Sequence, residues 1–192
     1  DGNLVLFSGH GIRRGANYVS RGPEFDLLER DCTPALVPAD SLAPDSYENQ
    51  EWLWSPYRDG STWHVLIHNE FKPGGPFPCE ETDDGLVVST NCIYNSITYA
   101  ASTDGGRTFE KPSPPTHVVA PHPLVWTPPP PNWPPNVTYS EGYFTPSNII
   151  RGPDHDYYYA VIRSARSKFT NIWDLCLMRT DTLFDPSSWR AW

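Results

Sequence analysis

No window of helical length in this chain carries apolar residues at i, i+3, i+4 and i+7, which argues against a helical core. No apolar run approaches the roughly 20 residues that a membrane-spanning helix needs, so no transmembrane helix is expected. Positive charge is scarce. Lys and Arg number 14 against 23 Asp and Glu, and the net charge of −9 argues against a nucleic-acid footprint. The four cysteines, Cys32, Cys79, Cys92 and Cys176, include no Cys-x-x-Cys pair, which argues against a zinc site. No cofactor is implied. Cys79 and Cys92 flank a polar loop that a disulfide would pin, the alternative being two separate thiols. An initiator Met is also lacking: the chain opens on a turn-like Asp1-Gly2-Asn3 and stops at Trp192, straight after a strand-like Trp189-Arg190-Ala191. It reads as an interior piece of a longer protein.

What the chain has in quantity is aromatic residues and turn formers. Eight Trp, ten Tyr and eight Phe accompany 22 Pro and 13 Gly, a composition of many short strands and irregular loops. Its most informative stretch is Ser102-Thr103-Asp104-Gly105-Gly106-Arg107-Thr108-Phe109. The alternating run Ile93 to Ala100 before it reads as a strand. Asp104 is placed to accept backbone N–H groups ahead of it, and the glycines tolerate positive φ. Thr108-Phe109 then restarts an extended segment, so the unit is strand, tight turn, strand.

Two long segments share an order of elements. The first runs Trp54-Ser55-Pro56-Tyr57, a turn at Asp59-Gly60, strand Trp63 to His68, a loop, strand Cys92 to Ala101, the turn and Phe109. The second runs Thr145 to Ile150, a turn near Gly152-Pro153-Asp154, strand Tyr157 to Ile162, strand Leu175 to Thr180, a connection through Asp185 to Ser188, and Trp189. Each is a four-stranded meander, the repeat unit of a β-propeller. The expected fold is all-β: a partial propeller of about two and a half four-stranded antiparallel blades in one domain. Residues 1–45 would end one blade, with Leu4 to Phe7 a strand and Ser20 to Phe25 a degenerate turn. Residues 46–119 form a full blade, 120–142 a Pro-rich insertion and 143–192 the next blade. A β-sandwich with irregular loops is the alternative. In the insertion, prolines favour polyproline II, while Trp126 and Trp133 argue for a loop that packs over the top face.

Blade geometry nominates the polar residues that gather where inner strands begin and second strands end. Those are Glu51, Trp52 and Trp54, then His68, Asn69 and Glu70, then Glu141, Tyr143, Ser147 and Asn148, with Arg163 ending the later second strand. Paired carboxylates are what glycoside hydrolysis needs, which makes Glu51, Glu70 and Glu141 the catalytic candidates. His68, two residues before Glu70, lies on the same side of its strand and would tune the proton affinity of that carboxylate. Arg163 would hold a carboxylate or a hydroxyl. His68, Asn69, Trp54, Tyr143, Asn148 and Arg163 are the substrate-binding candidates. Each has a structural alternative: Glu70 as a solvated strand end, His68 as an interior hydrogen-bonded residue, Glu51 and Glu141 as loop carboxylates, Arg163 as a bridge between blades. His117 and His122 show no metal spacing, Asp83 and Asp84 look like a solvated loop tip, and Tyr157 to Tyr159 reads as sheet packing.

The spacing Ser-x-Asp-x-Gly-x-Thr-Phe, carried here by Ser102, Asp104, Gly106, Thr108 and Phe109, resembles the Asp-box (BNR repeat) of sialidase-like β-propellers. In that family the box stabilises a turn at the outer edge of a blade and takes no part in catalysis. Together with the blade pattern and the His-Asn-Glu strand end, it resembles the propeller glycosidases, sialidase-like and arabinanase-like, with five or six blades and an axial active site. The resemblance covers residues 50–110 and 143–192. It implies a secreted carbohydrate-active protein and a carbohydrate partner. A sialidase-like site would use Arg163 as one carboxylate-binding arginine, and an arabinanase-like site Glu70 or Glu141 as the acid. Some relatives hold an axial calcium ion, for which no ligand cluster appears here. A catalytically silent propeller that binds glycan or protein partners, and a structural fragment without a site, are the other readings. The sequon Asn136-Val137-Thr138 points the same way, toward a secreted or extracytoplasmic protein.

Overall fold

A computed structural model of the chain describes residues 2–9, 15–72, 92–121, 125–127, 139–167 and 170–191. The Cys79–Cys92 pairing, the sequon, Asp83, Asp84, His122 and Trp133 fall outside the described residues or side chains. The strands are β1 (Leu4–Gly9), β2 (Asn17–Gly22), β3 (Glu29–Arg30), β4 (Gln50–Asp59), β5 (Thr62–Phe71), β6 (Cys92–Ser102), β7 (Val118–Ala120), β8 (Tyr139–Phe144), β9 (Ile150–Arg151), β10 (Tyr158–Ser167), β11 (Thr170–Thr180) and β12 (Arg190–Ala191). Three short 3₁₀ turns are the helical content among these residues. The fold is all-β, and neither of its two sheets closes on itself.

The small sheet has order β1-β2-β3, and the large one β12-β11-β10-β8-β6-β5-β4, with β7 on β6 and β9 on β10. Strands β4 to β7 and β8 to β12 are two antiparallel meanders, joined by a parallel pairing of β6 with β8. Gly142 makes that junction possible. Its φ is +109°, and a Cβ there would lie 2.0 Å from the Asn95 carbonyl oxygen, so only glycine lets β8 approach.

Three sequence boundaries move. Glu51 and Trp52 lie inside β4, and Glu141 and Tyr143 inside β8, where they were expected ahead of the strands. Ser20 to Gly22 belong to β2, so the turn expected there begins only at Pro23. The strand pairing with the far side of β6 is β7, with Glu110 adding a single bridge to Ala101.

Val65, Leu66 and Ile67 at the centre of β5 are all fully buried, as expected for a strand covered on both faces. Leu66 packs with Ile97 and Tyr99 against Tyr158, Ala160, Ile162, Met178 and Trp189 of the second meander. Val65 and Ile67 pack on the reverse face with Leu53, Ala100 and Phe109 against Val19, Ala35 and Leu36 of the amino-terminal region. The first meander is thus a filling between two layers, and each of these aliphatic side chains contributes about 1.5–3 kcal/mol by leaving water.

The octapeptide turn closes the lower end. Asp104 accepts the Ser102 hydroxyl, the Arg107 and Thr108 N–H groups and the Thr108 hydroxyl, and Ser102 Oγ accepts the Gly106 N–H. Gly105 and Gly106 both sit at φ +80°.

Candidate functional site

Alternation along β5 places His64, Leu66, His68 and Glu70 on the face toward the second meander and Val65, Ile67, Asn69 and Phe71 on the reverse. At the upper end of the first face an aromatic group surrounds His68. Trp52 on β4 is its register partner, and the ladder then shifts between Leu53 and Ser55, leaving Trp54 as the extra residue of a β-bulge. The bulge lets both indoles reach one imidazole, with centroids 5.5 and 5.9 Å from that of His68. Phe144 lies 6.1 Å away on another side, and Trp173 meets Phe144 edge-on at 4.8 Å. Arg163 lays its guanidinium 4.0 Å over Trp173 and 5.8 Å from Phe144. Trp54 is 48% exposed and Trp173 37%, so this aromatic wall is open to a ligand.

The polar partners lie at its foot. His68 Nε2 is 3.3 Å from Glu70 Oε2 and 3.2 Å from the Asn95 amide, and His68 Nδ1 is 3.2 Å from the Thr145 backbone nitrogen. Lys72 Nζ is 2.7 Å from Glu70 Oε1. Burial by itself would raise the Glu70 pKa, but the His68 hydrogen bond and Lys72 outweigh it and hold it below the usual carboxylate range. Glu70 is therefore an anion at neutral pH, suited to act as base, nucleophile or cation stabiliser and unsuited to act as acid.

The other candidates lie elsewhere. Glu51 is opposite Asn69 in register and so faces away from Glu70. Lys111 Nζ lies 3.0 and 2.9 Å from its two oxygens and 3.1 Å from Glu48. Burial raises the Glu51 pKa in spite of Lys111. Glu141 is buried opposite Tyr94, also on the reverse face. Three strand spacings and a two-residue offset along the strands put its backbone about 16 Å from that of Glu51, with Phe71 and Tyr94 on the strands between. Trp126, from the Pro-rich segment, packs on those two rings at 5.6 and 5.9 Å. Asn69 spends its amide on Asn49 and Ser96. Tyr143 packs against the hydrophobic cluster between the meanders, and Asn148 is exposed on the connection from β8 to β9. The buried His117 lies 3.1 Å from the Tyr47 carbonyl. Among the described residues no group of three His, Cys, Asp or Glu could hold a metal ion.

Of the residues nominated from sequence, Trp52, Trp54, His68, Glu70 and Arg163 come together. Lys72, Asn95, Phe144 and Trp173 were not foreseen. Only Lys72 had a signal, since it continues the alternation His68, Glu70, Lys72. The others reach the site through strand register and the fold of one meander onto the other.

No family model and no curated protein matches the chain. A solved structure described as a glycoside hydrolase shares the fold, with a TM-score of 0.58 at 12% identity. The alignment covers all of this chain and 49% of that one, so the chain spans about half the length of this structural neighbour.

Proposed function

We propose that the chain is part of a carbohydrate-active β-propeller protein, sialidase-like or arabinanase-like in architecture, that binds glycan against Trp54 and Trp173. The observation that carries this reading is an exposed indole, Trp54, packed on the histidine that hydrogen-bonds the Glu70 carboxylate, at the junction of two meanders. Indoles offer flat apolar faces to sugar rings, and an anion beside them can take hydroxyl hydrogen bonds or stabilise developing positive charge at the anomeric carbon. The likeness to a glycoside hydrolase supports the fold side of this reading, as do the two meanders in series and the bond from Ser55 on one inner strand to Pro146 on the next.

In a hydrolase of this kind Glu70 would be the ionised member of the carboxylate pair. A second reading, glycan binding without hydrolysis, is favoured by one observation: neither Glu51 nor Glu141 shares the face of Glu70. Calorimetry and a turnover assay against a panel of neutral and acidic oligosaccharides separate the two. Glu70→Gln should abolish turnover and keep binding if the protein hydrolyses. Binding without turnover in the parent selects the second reading, and absence of both across the panel removes the proposal.

A further inference from the structure

We propose that His68 is a positioning residue: a fixed Nε2–H donor that orients Glu70, its tautomer imposed by the backbone N–H of Thr145. The inference rests on the glycan-site reading above and adds the device that readies its carboxylate.

Thr145 N–H points at His68 Nδ1 across 3.2 Å. A backbone N–H can only donate, so Nδ1 must accept and carries no proton in this arrangement, which leaves Nε2 as the N–H of the neutral ring. Nε2 then faces Glu70 Oε2 at 3.3 Å and the Asn95 amide at 3.2 Å. Because Nε2 is a donor, the Asn95 amide must present its oxygen there; the ends of an amide are assigned from their partners. One imidazole N–H is thus shared between Glu70 and Asn95, the residues that face each other across β5 and β6.

The donor of this relay is held under strain. Thr145 sits at φ +35°, a conformation that β-branched residues avoid and that persists only where the surroundings impose it. They do so from both sides. Gly142 fixes the approach of β8 to Asn95, and the Ser55 hydroxyl holds the Pro146 carbonyl at 2.9 Å. The constraint binds a residue after β8 to a histidine on β5, 77 positions apart in sequence. Among the described residues, the charged groups around Glu70 on this side of the sheet are Lys72 on the same strand and Arg163 across the aromatic group, with Asp59 at the far end of β4. The register partners of Glu70, Gln50 and Asn95, carry no charge.

Two NMR measurements on the unliganded protein test this independently of any sugar. A long-range ¹H–¹⁵N spectrum of the His68 ring should show an unprotonated Nδ1 and a protonated Nε2 at neutral pH; the opposite tautomer overturns the proposal. In ¹³C-glutamate protein, His68→Phe should raise the Glu70 midpoint by about one pH unit, and His68→Gln, which keeps an N–H near the position of Nε2, should restore most of the loss. Equal shifts in both variants would mean that His68 acts only by packing. Thr145→Gly keeps the N–H and tolerates the backbone angle, so tautomer and midpoint should stay as in the parent; a change in either overturns the role of the backbone donor. Loss of glycan binding with these readouts intact would remove the function and leave the relay standing.

Discussion

Replacing Lys111 by Met strands a buried carboxylate. In the parent, the Lys111 ammonium bonds both oxygens of Glu51, whose side chain is 0% exposed, while its own is 13% exposed. Removing one partner of such a pair costs about 3–5 kcal/mol, because the remaining charge keeps its desolvation penalty and loses its compensation. For a domain of this size that is a fall in Tm of about 6–20 °C. The pH dependence carries a second signature. Glu51 has a raised pKa through burial even with Lys111 present, and loss of the lysine raises it further. The folded state then binds the proton more tightly than the unfolded one, whose glutamate titrates near ~4.3. The contribution is therefore present at low pH and is lost as pH rises toward the folded value, at up to about 1.4 kcal/mol per pH unit. Urea denaturation of Lys111→Met between pH 4 and 8 should show a deficit that grows with pH, and Glu51→Gln in the same background should remove most of that slope. A Lys111→Met protein as stable as the parent, with a flat pH profile, would refute the buried pair. Glu51→Gln alone should leave glycan binding unchanged, since the residue lies on the reverse face.

Asp104→Ala should cost about 2 kcal/mol, through loss of capping bonds to Arg107, Thr108 and Ser102, read by urea denaturation. The Asp104 pKa is far below the ordinary value: burial opposes this, but the Ser102, Thr108 and Arg107 bonds prevail. The stability it supplies is therefore fully present above about pH 4 and fades only in acid. Sugar affinity should not move, because seven residues of β5 separate the turn from Glu70, about 23 Å. Trp54→Ala should weaken glycan binding tenfold or more, about 1.4 kcal/mol, with little change in Tm, because the side chain is half exposed on a bulge; calorimetry decides. Leu66→Ala, fully buried between the meanders, should lower unfolding free energy by about 3–5 kcal/mol.

Periodicity and turn chemistry are local, and they made much of the architecture legible. Alternation identified β5, β6 and β10, and the Ser102 to Phe109 spacing placed a capped turn that forms with the hydrogen bonds its residue types allow. Starts of β4 and β8 were not legible, because their polar residues look like loop until a neighbouring strand supplies the ladder. The carboxylates show why a site is harder to read than a strand. His68 and Glu70 share a side by counting alone. Whether Glu51 or Glu141 joins them depends on register: Glu51 pairs with Asn69, one residue from Glu70, and a one-residue offset in a ladder reverses the face.

By itself, then, the sequence determined the all-β class, the capped turn and the His68–Glu70 pair, because each rests on contacts within a few residues. Tertiary structure alone decided that Trp54 leaves the ladder on a bulge, that Thr145 reaches His68, that Phe144 and Trp173 complete the aromatic group, and that Lys111 neutralises Glu51. These are contacts between residues far apart in the chain, fixed by strand register and by Gly142, whose missing side chain lets the backbone of β8 close on Asn95 of β6.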